Sequence, residues 1–149
     1  MPSVSRTQIF PFSKQEIFDV LADVEKYPEF VEGMERIVVH ERDEKKLKLK
    51  VEYHINIIKN FRYTIEMSLQ PVDAISWVLV GGDLFKKNNG KWELKELGPK
   101  ETEVIYSLDV DFKLFAPSFI VDKLVSQSLP QMMRAFEDRI RELKKRKAK

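Results

Sequence analysis

Apolar residues recur with one period at the two ends of the chain and with another in the middle. Near the start, "FPFSKQEIFDVLADVEKY" places Ile17, Phe18, Leu21 and Val24 at helical spacing, behind Ser13 and Glu16 in the order of a capping box. The pattern predicts a helix of about three turns that ends before Pro28, then a second short helix or turn from Tyr27 to Met34. From residue 36 to 112 the period falls to two. "LKLKVEYHI" sets Leu47, Leu49, Val51, Tyr53 and Ile55 against Lys48, Lys50, Glu52 and His54. "FRYTIEMSL" sets Phe61, Tyr63, Ile65, Met67 and Leu69 against Arg62, Thr64, Glu66 and Ser68. "EVIYSLDVDF" sets Val104, Tyr106, Leu108, Val110 and Phe112 against Ile105, Ser107, Asp109 and Asp111. Antiparallel strands with one covered and one wet face produce this alternation.

Three more strands are read in "RIVVHE", "AISWVLV" and "GKWELKEL", with Asn88-Asn89-Gly90 and Gly98-Pro99 as turns. "SVSRTQIF" is read as the first strand. After Ala116-Pro117 the helical period returns. Val121, Leu124, Val125, Ser128, Leu129, Met132, Ala135, Phe136, Ile140 and Leu143 form one stripe, in which Pro130 is expected to kink the helix or leave one turn irregular. Strand, helix, short helix, six strands and long helix make an α+β domain whose sheet needs the long helix as its cover.

At 149 residues the expectation is a single domain, residues 1–149, large enough to bury a core without help. No cysteine is present, so no disulfide or cysteine-based metal site is available. The N-terminal residues carry no apolar run behind a charged start, and no apolar run is long enough to span a bilayer. The expectation is therefore a cytoplasmic protein with no signal peptide. Net charge is +2, but five positive residues (Lys144, Lys145, Arg146, Lys147 and Lys149) sit in the tail 144–149, which leaves −3 on the body. That body lacks the broad basic face of a duplex DNA binder. The tail reads three ways: as a solvated helix end complementing the macrodipole, as a contact for anionic lipid at the membrane periphery, or as a contact for ribosomal RNA.

Catalysis by a cyclase or hydrolase needs an acid or base within a pocket. His54 shares the wet parity of Lys48, Lys50 and Glu52, and His40 falls out of phase with Ile37 and Val39. Asp109, Asp111, Glu52 and Glu66 also take the wet parity, leaving Tyr53, Tyr63 and Tyr106 as inward polar tips. No phosphate-cradling glycine loop or metal-ligand spacing appears. No catalytic residue is assigned, no cofactor or metal is expected to be required, and the pattern favours holding a ligand over transforming it.

Two stretches carry a family resemblance. "FPFSKQEIFDVLADVEKYPEF" (10–30) resembles the opening signature of the START-like, helix-grip (SRPBCC) superfamily, in the branch of coenzyme Q-binding proteins, ribosome association toxin and polyketide cyclase-like proteins. "GDLFKKNNGKWELKEL" (82–97) and "SLDVDFKLFAPSF" resemble later parts of the same pattern, which is departed from at "VEGMER" and at Pro130. The resemblance implies a curved seven-stranded antiparallel sheet wrapped around the long C-terminal helix, with two short helices after the first strand and an apolar cavity between sheet and helix. Its lining would be Phe61, Tyr63, Trp92, Tyr106 and Leu108 from the sheet, and Leu129, Met132, Met133 and Phe136 from the helix. Tyr27, Phe30, Val31 and Met34 would form the mouth or, on the alternative reading, a staple on the core; Ile57-Ile58 is a second candidate for the mouth. The same residues would also make an ordinary filled core. The implied function is non-catalytic binding or transport of a lipophilic small molecule, a bound polyprenyl quinone or lipid. At about 0.8 kcal/mol per buried CH₂, each prenyl unit would contribute roughly 3 kcal/mol without a charged anchor. The alternatives are a toxin-like factor acting on ribosomal subunits and, third, a polyketide cyclase/aromatase-like enzyme.

Overall fold

Strand β1 (Ser3–Phe10) leads into α1 (Lys14–Ala22), a 3-10 helix (Val24–Glu29) and six further strands. These are β2 (Met34–Asp43), β3 (Lys48–Asn56), β4 (Asn60–Gln70), β5 (Ala74–Gly82), β6 (Phe85–Gly98) and β7 (Glu101–Phe112), followed by α2 (Leu129–Lys147). The structure is a computed structural model that describes residues 3–56, 60–113 and 129–147. The expected tip Ile57-Ile58, the helical positions Val121, Leu124, Val125 and Ser128, and Lys149 lie outside the described residues.

The strands form one antiparallel sheet in the order β1-β7-β6-β5-β4-β3-β2. Six consecutive strands meander, and β1 returns beside the last of them. The curved sheet presents one apolar face to α1 and α2, as the helix-grip pattern requires. Ser13 opens α1 as a true capping box: its hydroxyl accepts from the Glu16 N–H and Glu16 Oε1 accepts from the Ser13 N–H. α1 then buries Ile17, Phe18, Val20 and Leu21. The second short helix starts earlier than the apolar spacing suggested, at Val24, and Met34 already belongs to β2. Gly33 makes that entry possible with φ +86, a region that other residues rarely adopt.

Alternation holds along β3, where Leu49, Val51, Tyr53 and Ile55 are buried and Lys50, Glu52 and His54 are not. Leu47 departs from it: it lies in the preceding turn at φ 56 and is exposed. β2 carries two bulges against β3, one between Met34 and Arg36 and one between Val39 and Glu41. The second inserts His40, which is why that residue falls out of phase with Ile37 and Val39.

The asparagines and glycine read as a turn are instead in the middle of β6. Trp77 explains the reversal. A Cβ on Gly90 would lie 2.2 Å from Trp77 Cζ2, so glycine leaves room for the indole where β5 and β6 pair. Buried Asn88 accepts the Trp77 indole N–H through Oδ1 at 3.0 Å, and Asn89 Oδ1 accepts from the Leu79 N–H. Polar side chains thus hold the strands together beyond the last backbone pair, Trp77 with Gly90.

On α2 the buried line is Met133, Phe136 and Ile140, flanked by half-buried Leu129, Met132 and Leu143. The stripe is therefore centred one position beyond Met132.

Candidate functional site

Inward parity and helical spacing bring most of the expected lining to one place, between the sheet's inner face and α2. Phe136 is its hub: its ring stands edge-on to Tyr27 at 5.2 Å, Phe30 at 5.1 Å and Trp92 at 5.4 Å between centroids. Trp92 in turn meets Tyr106 at 4.7 Å. Such edge-to-face pairs contribute beyond the area they bury. Tyr63 belongs to a second group, between Tyr53 at 5.2 Å and Phe85 at 5.0 Å.

Burial sorts the expected residues into two sets. Tyr27, Trp92, Tyr106, Met133 and Phe136 are core residues. Phe30, Val31, Met34, Phe61, Tyr63, Leu108, Leu129 and Met132 are half-buried against that core. The segment from Tyr27 to Met34 divides the same way. Tyr27 is the staple, because its hydroxyl donates to the Leu21 carbonyl while its ring packs on Phe136. Phe30, Val31 and Met34 keep partial exposure, as a rim would.

One contact at that rim had no local signal in the sequence. Arg139 sits one turn beyond Phe136, pairs with Glu29 at 2.7 Å and places its guanidinium 5.2 Å from the centre of the Phe30 ring. Glu29 and Arg139 are 110 residues apart, so only the fold brings them together. The pair clamps the 3-10 helix onto α2.

The polar groups of the inner face are phenolic. Burial raises the pKa of Tyr27, Tyr53, Tyr63 and Tyr106, and is the largest cause for each. Tyr63 shares the effect although the residue as a whole is only half-buried. Tyr27 has its carbonyl partner and Tyr53 a weak contact with Met67 Sδ at 3.9 Å. The Tyr63 and Tyr106 hydroxyls have no hydrogen-bond partner among the described residues. Glu137, which α2 turns toward β1, is taken up by Gln8 and Arg141.

Both histidines lie on the outer face. His40 Nε2 is 2.6 Å from Glu52 Oε1, and His54 Nε2 is 2.6 Å from Glu52 Oε2. The hydrogen bond with His40 outweighs burial and, with a smaller contribution from His54, holds the Glu52 carboxyl below its ordinary pKa. Among the described residues no group of three or more acidic or histidine side chains is placed to hold a metal ion.

Part of the tail's charge is engaged. Lys144 pairs with Glu16 at 3.2 Å and lies over the Phe12 ring, and Arg146 pairs with Glu142 at 2.5 Å. Lys145 is exposed; the side chains of Lys147 and Lys149 lie outside the described residues. No described helix is long and apolar enough to cross a membrane.

Three comparisons place this geometry among known proteins. Residues 10–137 match a family described as polyketide cyclase / dehydrase and lipid transport. The ribosome association toxin RatA of Escherichia coli is 26% identical over 144 residues, covering 96% of this chain and 89% of the relative. A START superfamily protein from Mycobacterium smegmatis superposes with a TM-score of 0.84 at 25% identity, over 95% of this chain and 98% of the other. The Zhui aromatase/cyclase of a Streptomyces species superposes at 0.83 and 15% identity, over 94% and 93% of the two chains, a likeness of fold.

Proposed function

We infer the function from one premise: the chain belongs to the polyketide cyclase / dehydrase and lipid transport family. That family's description spans both chemistry and carriage, so the choice for this chain rests on its own inner face. Our reading is non-catalytic binding and delivery of a lipophilic small molecule held between the sheet and α2, with a polyprenyl quinone as the candidate.

One observation carries it. The inner face offers neutral tyrosine hydroxyls, two of them unpartnered among the described residues, on an otherwise aromatic and aliphatic wall. A phenol whose pKa is raised by burial stays protonated at neutral pH. It is a poor base, but it donates a hydrogen bond well to a carbonyl oxygen. Quinone carbonyls suit Tyr63 and Tyr106, and an isoprenoid chain suits the half-buried rim of Phe30, Val31, Met34, Leu129 and Met132. The imidazoles, the usual agents of proton transfer, are bonded to Glu52 on the other side of the sheet.

A second reading, a factor that associates with ribosomes, draws on the RatA likeness and on the basic end of α2. Solvent extraction of the purified protein followed by mass spectrometry, with titration by a short-chain quinone, separates the two. Co-purified isoprenoid and a quinone affinity lowered about tenfold by Tyr106→Phe support carriage. Absence of any apolar ligand, with recovery of the protein in ribosomal fractions, removes it in favour of the second reading.

A further inference from the structure

The outer face of β2, β3 and β4 is charged in rows, and opposite charges face one another in two of them. Asp43 stands opposite Lys48, and Lys50 stands between Glu41 and Glu66. Lys50 Nζ lies 3.7 Å from Glu41 Oε2, and Lys48 Nζ reaches diagonally to within 3.6 Å of Glu66 Oε1. Toward the other end of the strands Arg36, His54 and Arg62 stand in one row.

His54 is bonded to Glu52, a carboxylate that His40 also meets. Neither the Arg36 nor the Arg62 guanidinium has an ion pair or side-chain hydrogen bond among the described residues. The three residues line a cleft of about 310 Å³ together with Asn60, the carboxylates Glu35 and Asp83, and the apolar Ile55 and Phe61. Asp83 directs Oδ1 at the backbone N–H of Arg62, at 2.8 Å, and Glu35 is the exposed residue of the first β2 bulge. A row with two unengaged guanidinium forks, set in a concavity, is therefore a feature of the folded chain.

We propose that the row Arg36–His54–Arg62 binds a phosphate-type oxyanion carried by a small molecule. Guanidinium forks match the oxygens of a phosphoryl group two at a time. The cleft volume suits one such group and a small body attached to it, at the low end of small-molecule sites. An anion there would bridge the two guanidiniums, with Glu35 and Asp83 as the charges it must stay clear of. The charged row faces away from the apolar wall, although Ile55 and Phe61 of that wall border its cleft.

Inorganic pyrophosphate, titrated at low ionic strength and followed through backbone amide NMR shifts, tests the proposal. Saturable shifts centred on residues 36, 54 and 62 are expected. Arg36→Gln and Arg62→Gln should each weaken binding about tenfold or more, while Lys100→Gln, in an exposed turn, leaves it unchanged. Saturating pyrophosphate should raise the melting temperature of the wild type but not of Arg62→Gln, because only a filled site stabilises the fold. The arginines are exposed, so the glutamine variants retain the fold. Unsaturable shifts spread over all basic residues, binding unaffected by Arg62→Gln, or an unchanged wild-type melting temperature at saturating pyrophosphate would overturn the site. A short ribo-oligonucleotide that needs both arginines, where pyrophosphate does not bind, would replace the small molecule by RNA and overturn the proposal as stated.

Discussion

Along β3, Val51, Tyr53 and Ile55 are buried toward α2, while their immediate neighbours Lys50, Glu52 and His54 stay partly in water. The two faces of the same strands therefore work by different physics. Inside, groups are neutral and packed around buried residues such as Phe136 and Val51, so substitutions there remove contacts that nothing replaces. Outside, charges are paired in high dielectric, where each interaction is small and screened by salt. The difference teaches where stability and where recognition reside. Disturbing the inner face should endanger the fold together with any apolar ligand it holds, whereas disturbing the outer face should alter charged contacts while the fold survives.

The hardest test of the inner face is alkali. All four tyrosines of the chain lie there, each with a pKa raised chiefly by burial. In the unfolded chain they ionise near pH 10, so above that pH the unfolded state binds fewer protons than the folded one. Their contribution is complete below about pH 10 and is lost as the pH rises toward the folded values. Phenolate absorbance should therefore be absent until the protein unfolds, and should then appear cooperatively together with loss of circular dichroism. Gradual ionisation near pH 10 in a protein that is still folded would place the tyrosines in water and erase the contrast between the faces.

Next in size is Phe136→Ala. It removes the ring that Tyr27, Phe30 and Trp92 all touch, and should cost about 3–5 kcal/mol in urea unfolding, with the denaturation slope unchanged. A loss below about 1 kcal/mol would mean that the site collapses freely or was never packed.

How much of this contrast was legible beforehand depends on the range of the signal. Parity is local, so β3, β4 and β7 could be read residue by residue, and with them the outward placing of His54. Asn88-Asn89-Gly90 misled because asparagine and glycine favour turns. The reason for them here is Trp77 on the neighbouring strand, which no local pattern reveals. The β2 bulges likewise leave no mark beyond a phase error at His40. The clamp of Arg139 on Glu29 and Phe30, and the row Arg36–His54–Arg62, exist only once register is known.

The smallest effect is expected at Glu52, and it sharpens the comparison most. Its two oxygens each meet an imidazole nitrogen at 2.6 Å, and those bonds lower its pKa below the ordinary carboxylate range. A carboxyl that ionises more readily in the folded state contributes stability above its unfolded pKa, about 4.3, and loses it as the pH falls through the lower folded value. Glu52→Gln should therefore be less stable than the wild type at pH 7 by under about 1 kcal/mol, as befits a pair at the surface. The gap should narrow with added salt and close at low pH, where the wild-type carboxyl is itself neutral. Quinone binding should not change, because Glu52 and both histidines are on the other side of the sheet from Tyr63 and Tyr106. Loss of quinone binding in Glu52→Gln without loss of stability would tie the histidines to the inner site. It would turn the reading from carriage toward catalysis, since an imidazole would then be within reach of the ligand.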